Sequence, residues 1–325
     1  MQLAQQVLQV NATTFNKVAL QVYEYQYFKC TIYNKFCNGF GAHPSQVKTL
    51  AQIPFLPVSF FKTHKVLSAV EQEQIIFESS GTTGTTPSKH YVADVKLYED
   101  SFNKAFELFF GKVSEYCILA LLPAYLERTG SSLVYMADSL IKQSNHPQSG
   151  FYLNEFEKLH TTLNELKATK QKTILLGVTF GLLDFIENYR IDFPELIVME
   201  TGGMKGRREE LTRAQVHDIL KEGFGVSDIY SEYGMTELLS QGYSKGNGIF
   251  NTPPWMKIVI RDMYYPAGRL NNGQTGGVNI IDLANVHSCS FIATDDIGKV
   301  NKDGTFEILG RMDNAEVRGC NLMAV

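Results

Sequence analysis

The chain has 325 residues, 44% of them apolar, enough to bury one large core or two moderate ones. Thirty basic against 34 acidic side chains give a formal net charge of −4 with no basic block, which argues against nucleic acid or anionic membrane as a partner. No run of 18 apolar residues occurs, and Met1-Gln2-Leu3-Ala4-Gln5-Gln6 lacks the basic-then-apolar pattern of a leader, so a cytoplasmic protein without an integral membrane segment is expected.

Leu8, Val18, Leu20, Val22, Tyr23, Tyr27, Phe28 and Ile32 recur at helical spacing across residues 3 to 37, interrupted at Asn11-Ala12-Thr13-Thr14, where Thr13 or Thr14 caps a second helix. Asn38-Gly39-Phe40-Gly41 ends this region, and Pro44, Pro54 and Pro57 keep the chain irregular beyond it. Ile75-Ile76-Phe77 reads as a buried strand end, and Lys96 to Phe110 as an amphipathic helix. Between them lies Phe77-Glu78-Ser79-Ser80-Gly81-Thr82-Thr83-Gly84-Thr85-Thr86-Pro87-Ser88-Lys89-His90. Two glycines let such a backbone turn with its N–H groups converging into a nest for anionic oxygens, and Lys89 adds a positive charge. Thr86 stands where a Walker loop needs its second glycine, so an ordinary P-loop is disfavoured. Taken alone, the stretch reads equally well as a Ser/Thr-rich surface turn.

From residue 75 to about 231 the pattern alternates. Strand-like runs at 116–122, 173–178 and 196–200 are separated by helical stretches near 130–144, 154–169, 179–189 and 207–221. Continuous apolar strands with helices between them predict an α/β fold, a mostly parallel sheet covered on both faces, with ligands beyond the carboxyl ends of its strands. After residue 248 come short strands: Lys257-Ile258-Val259-Ile260, Val278-Asn279-Ile280-Ile281, Ser288 to Ala293, Lys299-Val300 and Thr305 to Leu309, with an Asp303-Gly304 hairpin signal. The expected organisation is a helical N-terminal segment and α/β core over 1–248 and a β-rich subdomain packed on it over 249–325.

The Ser/Thr/Gly stretch resembles the phosphate loop of the adenylate-forming (acyl-CoA synthetase-like, AMP-forming) superfamily. Four further segments match that family's motifs in order: Thr201-Gly202-Gly203, Tyr233-Gly234-Met235-Thr236-Glu237, Thr294-Asp295-Asp296-Ile297-Gly298, and Gly310-Arg311 with Arg318-Gly319. Ile53-Pro54-Phe55-Leu56-Pro57, Gly202-Gly203-Met204-Lys205-Gly206 and Glu316-Val317-Arg318-Gly319-Cys320 look most like acyl-protein synthetases of the LuxE type. The resemblance implies the large-domain fold of that superfamily, with its usual small mobile C-terminal domain absent. It also implies ATP and Mg2+ as cofactors, a carboxylic (fatty) acid substrate, and an acyl-reductase or acyl-carrier protein as partner.

Carried over residue by residue, Ser80, Gly81, Thr82, Thr83, Gly84 and Lys89 would hold phosphates, while Thr236 would contact the α-phosphate and Glu237 would bind the metal. Gly202, Gly203, Tyr233 and Gly234 would take the adenine, and Asp296 and Arg311 the ribose or α-phosphate. Asp295 replaces a family glycine, which leaves the choice between the two aspartates open, and both with Arg311 also read as a surface salt network. The family's catalytic lysine is missing, so first-step charge stabilisation falls to Lys89, Lys205, Arg311 or a partner. Five cysteines without C-x-x-C spacing argue against disulfides or zinc: Cys30, Cys37, Cys117 and Cys289 read as buried hydrophobes, while Cys320 matches the acyl-carrying cysteine near the family's C-terminus. The seven histidines are scattered and read as structural. Two other readings stand beside this one: a phenylacetate-CoA ligase-like acyl-CoA synthetase, and a degenerate nucleotide-binding protein without catalysis.

Overall fold

A computed structural model of the protein describes residues 2–68, 71–79, 86–122, 130–202, 211–265 and 268–312. Three helices open the chain, α1 (Gln2–Val7), α2 (Phe15–Lys29) and α3 (Thr31–Gly39). Asn11, rather than Thr13 or Thr14, organises the turn before α2, because its Oδ1 accepts from the amides of both threonines at 3.0 and 3.1 Å. Strand β1 (Leu56–Pro57) and the single-turn α4 (Phe60–Thr63) follow. Strands β2 (Ile75–Glu78) and β3 (Lys89–Val92) then pair with each other as a separate antiparallel hairpin. The Ser/Thr/Gly stretch thus joins the two strands of a hairpin, where a sheet strand leading straight to a helix was expected. Only Phe77 of Ile75-Ile76-Phe77 is buried.

The α/β expectation holds in the middle of the chain. Helix α5 (Val95–Phe110) starts at Asp94, whose side chain accepts from the Leu97 amide. Then come β4 (Cys117–Leu121), α6 (Ser132–Ser144), β5 (Gly150–Phe151), α7 (Phe156–Thr169), β6 (Thr173–Val178), α8 (Thr179–Asn188), β7 (Ile197–Thr201), α9 (Arg213–Phe224) and β8 (Tyr230–Tyr233). A Thr212–Gln215 capping box starts α9 later than the 207–221 pattern suggests, and part of that range lies outside the described residues. Strands β5, β4, β6, β7 and β8 are neighbours in that order, all parallel. Their alternation builds two cores. Leu119, Leu175 and Val198 pack with Leu163 of α7, Phe185 of α8 and Leu220 of α9, whereas Ile118, Leu176 and Met199 face the core that contains Phe102 of α5 and Leu140 of α6. Each such fully buried side chain contributes roughly 1.5–3 kcal/mol.

Beyond β8 the same sheet turns antiparallel through β9 (Gly242–Ser244), β10 (Phe250–Asn251), β14 (Phe306–Arg311), β13 (Phe291–Val300), β12 (Thr275–Asp282) and β11 (Met256–Arg261). Residues 288–293 and 299–300, expected as two strands, belong largely to the single strand β13, whose side chains alternate inward and outward through Asp295-Asp296. Asp303-Gly304 makes the turn into β14, with Gly304 at φ +89°. Strand β13 has a divided flank: β14 pairs with its second half and β1 with Ile292 and Ala293. Cys30, Cys37, Cys117 and Cys289 are buried free thiols, as expected.

The point where the sheet changes sense is held by Asp282. Its carboxylate accepts from the amides of Leu239 at 2.8 Å, Ser240 at 3.1 Å and Ala284 at 3.2 Å, and from the Ser240 hydroxyl at 2.6 Å. Burial nevertheless pushes its pKa up to about 6. Replacing Asp282 with Ala strands buried donors, each costly to leave unpaired, so Asp282→Ala should lose about 3 kcal/mol or more in urea unfolding, with unchanged stability as the contrary result.

Candidate active site

The described parts of the segments singled out in the sequence lie on or beside β3, β7, β8, β13 and β14, and hydrogen bonds and an ion pair join several of them. Gly202 follows β7 with φ +72°, a left-handed conformation open to glycine, and a Cβ there would meet nothing within 4 Å. Thr179 at the start of α8 lies 2.9 Å from the Gly202 carbonyl and 3.1 Å from Glu200 Oε2, which fixes the turn from below. Glu200 Oε1 lies 3.6 Å from His217 Nε2 and 4.0 Å from Arg213 Nε of α9. On the other face of the sheet Glu232 accepts from the Thr201 hydroxyl at 2.5 Å. Its carboxyl fills the space beside Gly234, where a Cβ would stand 2.3 Å from Oε1. Burial raises the Glu232 pKa to about 7.

Tyr233 ends β8 and donates its hydroxyl to Asp296 Oδ2 at 2.7 Å, while its ring packs among Phe250 and Phe306. Asp296 is 8% exposed, and Arg311 Nε lies 3.4 Å from its other oxygen. Burial raises the Asp296 pKa, opposed by Tyr233 and Arg311. Asp295 points the other way along β13, as strand alternation requires, so Asp296 is the aspartate brought to Tyr233. Beneath them Arg261 is buried, donating to the Val278 carbonyl at 2.7 Å, Asn279 Oδ1 at 2.9 Å and the Thr294 carbonyl at 2.5 Å.

After Gly234 the chain carries Thr236, half-buried, and Glu237, 5% exposed. Burial raises the Glu237 pKa; the Ser88 hydroxyl, Arg311 and Lys62 each favour its ionised form. Lys62 sits on α4 and was not anticipated. Lys89 alternates with Ser88 and His90: those two are buried, whereas Lys89 is exposed and ion-paired with Glu78 at 3.1 Å. His90 meets the Thr236 carbonyl through Nδ1 at 2.8 Å, so one of the scattered histidines adjoins the motif. Ser80, Gly81, Thr82, Thr83, Gly84, Gly203, Lys205 and Cys320 lie outside the described residues. The period-two placement of Ser88 and His90 in the quoted stretch was the available signal for them; Glu232, Arg261 and Asn285 carried none.

A family profile described as acyl-protein synthetase, LuxE, matches residues 7–324. The long-chain-fatty-acid--luciferin-component ligase of Vibrio harveyi is 23% identical over 341 aligned residues, 97% of this chain and 88% of that one. Among solved structures, an open conformation of 2-hydroxyisobutyryl-CoA ligase with 2-HIB-AMP and CoA superposes with a TM-score of 0.66 at 14% identity, over 94% of this chain and 71% of the other. ATP-bound MatB from Rhodopseudomonas palustris gives 0.54 at 15% identity, over 73% of this chain and 47% of that one, so the chain spans about half of MatB. These likenesses are of fold: the chain adopts the large-domain fold of adenylate-forming acyl-CoA ligases. Among the described residues no helix is long and apolar enough to cross a membrane.

Glu232 yields a pH prediction. Its folded pKa of about 7 lies above the ordinary glutamate value of 4.5, so its contribution is fully present below about pH 4.5 and is lost as pH rises through 7. Glu232→Gln removes that loss while keeping an acceptor for Thr201. The stability of the variant relative to wild type should therefore grow by on the order of 1–3 kcal/mol between pH 4.5 and 8, read from urea midpoints; a constant difference would show that Glu232 ionises freely in the folded state.

Proposed function

The chain belongs to the LuxE family of acyl-protein synthetases, and on that premise we propose that it activates a fatty acid as its acyl-adenylate and passes the acyl group to a protein thiol. The observation that carries this reading is the family match over residues 7–324, supported by the hydrogen bond and ion pair that join Tyr233, Asp296 and Arg311 and by Arg311 acting on the nearby Glu237. The fatty acid is taken over from the Vibrio harveyi relative.

In the first step a carboxylate oxygen attacks the α-phosphorus of ATP, the bond to the bridging oxygen breaks, and pyrophosphate leaves. An anion attacks a polyanion, so the protein must supply alignment and positive potential. Gly202, Gly203, Tyr233 and Gly234 would bound the adenine, and Asp296 would accept the ribose hydroxyls, held in place by the Tyr233 hydroxyl. The stretch Ser80 to Gly84 would hold the outer phosphates through backbone amides and hydroxyls. Thr236 would donate to the α-phosphate. Glu237, a buried carboxyl whose pKa burial raises against the opposing pull of the Ser88 hydroxyl, Arg311 and Lys62, fits Mg2+, which is commonly held by one or two carboxylates together with phosphates. The metal would supply charge neutralisation between the phosphates.

Of the cations considered, Arg311 is directed at Asp296, Lys62 acts on Glu237, and Lys89 would need to leave Glu78 to reach a phosphate. In the second step the thiolate of Cys320 attacks the acyl carbonyl, AMP leaves with the bonding pair, and a thioester remains for delivery to an acyl-reductase or acyl-carrier partner.

With labelled fatty acid, ATP and Mg2+, the protein should acquire a hydroxylamine-labile label, and Cys320→Ser should lose it while still forming acyl-adenylate. Efficient acyl-CoA formation with no labelled protein would instead give the CoA-ligase reading. A separate comparison tests the aspartates. Asp296→Ala should weaken ATP binding by about 1.5–3 kcal/mol in calorimetry and Asp295→Ala far less; equal small effects would return the pair to a surface salt network.

A further inference from the structure

The backbone carbonyls of Thr236 and Glu237 are each met by a buried side chain. His90 of β3 meets the Thr236 carbonyl through Nδ1 at 2.8 Å. Asn285, in the 3-10 turn Leu283–Asn285, donates Nδ2–H to the Glu237 carbonyl at 2.6 Å. Because a carbonyl only accepts, His90 must be the Nδ1–H tautomer. Burial keeps it neutral, with its pKa pushed down to about 4.

Both residues are themselves fixed. The Phe61 ring of α4 stands edge-on to His90 at 5.7 Å. The Asn285 carbonyl accepts from Gln26 Nε2 of α2 at 2.9 Å, and Gln26 Oε1 accepts from the Ser290 amide at 3.0 Å. His90 and Asn285 are 0% and 1% exposed, and their side chains also interact with one another. The donors of this pair are directed at the carbonyls of residues 236 and 237.

We propose that His90 and Asn285 are positioning residues that fix the Thr236–Glu237 backbone, and thereby aim the Thr236 hydroxyl and the Glu237 carboxylate at the α-phosphate and the metal. This rests on the adenylation reading above. Since His90 lies on β3, one residue beyond Lys89 and two beyond Ser88, the hairpin that carries the Ser/Thr/Gly stretch is tied to the Thr236–Glu237 segment by the same bond.

The test uses the full chain and two substitutions at one position. His90→Asn keeps an N–H donor at the δ position, whereas His90→Leu removes it and keeps the volume. In carboxylate-dependent ATP–pyrophosphate exchange, His90→Leu should lower kcat about 10-fold or more and raise the Mg2+ concentration for half-maximal rate several-fold, with the KM for the acid unchanged. His90→Asn should recover kcat to within about threefold. Asn285→Leu should reproduce the His90→Leu pattern. Backbone hydrogen exchange over residues 236–240 gives a readout independent of activity: it should rise in His90→Leu and return towards wild type in His90→Asn. Wild-type kcat, Mg2+ dependence and amide protection in His90→Leu would overturn the inference, as would a His90→Asn variant as impaired as His90→Leu. If the wild type exchanges pyrophosphate with no acid, the adenylation reading fails, and the amide protection alone then decides whether His90 holds this segment.

Discussion

The chain between β8 and β9 must leave a parallel sheet and re-enter it antiparallel while staying inside the protein, and the hydrogen-bonding needs of that buried backbone shape much of what surrounds it. Peptide groups that leave a ladder in a core have to find other partners. Here side chains from three separate regions supply them: His90 from the hairpin, Asn285 from the 3-10 turn, and Asp282 at the end of β12, which takes the amides of Leu239 and Ser240. Trp255 adds a further brace, its indole N–H lying 3.0 Å from both Ser101 and Ser240. The segment that bears Thr236 and Glu237 is accordingly braced by side chains from outside it, without regular secondary structure of its own.

The electrostatic character of the same region follows from how the sheet is closed. Glu232, Glu237, Asp282 and Asp296 are all buried, and burial raises the pKa of each. The roles divide by partner. Asp282 has backbone amides and a hydroxyl, and Glu232 a threonine hydroxyl. Asp296 and Glu237 lie within reach of arginine or lysine charge. Arg261, locked to three acceptors under β13, places a permanent positive charge behind Asp296 without exposing it to solvent.

The sequence carried the parallel half of this architecture because continuous apolar runs such as Thr173–Val178 have few alternatives to a strand buried on both faces. It was less informative about Ile75–Glu78, since a short apolar run does not say which strand it pairs with, and its partner proved to be Lys89–Val92, fourteen residues on. Asp295-Asp296 hid the continuity of β13, because two acids look like a break until one is seen to face inward onto Tyr233 and Arg311. The motif residues could be named from the chain; the side chains that hold them could not. Asn285, Gln26 and Arg261 are polar residues in unremarkable surroundings, and what gives them meaning is contact with segments distant in sequence.

The divided flank of β13 has a further consequence, for the order in which the protein assembles. Leu56 and Pro57 near the beginning of the chain complete the sheet against Ile292 and Ala293, and Gln26 hydrogen-bonds the Asn285 carbonyl 259 residues away. Loop closure over such a separation is an entropic cost met late, after the locally connected α/β units have formed. During synthesis Gln26 therefore lacks its partners at Asn285, Val286 and Ser290 until those residues have emerged. The parallel units can form in the meantime, but the polar frame around Thr236 and Glu237 closes only when the first and last parts of the described chain meet, which makes the site among the last features of the molecule to acquire its native form.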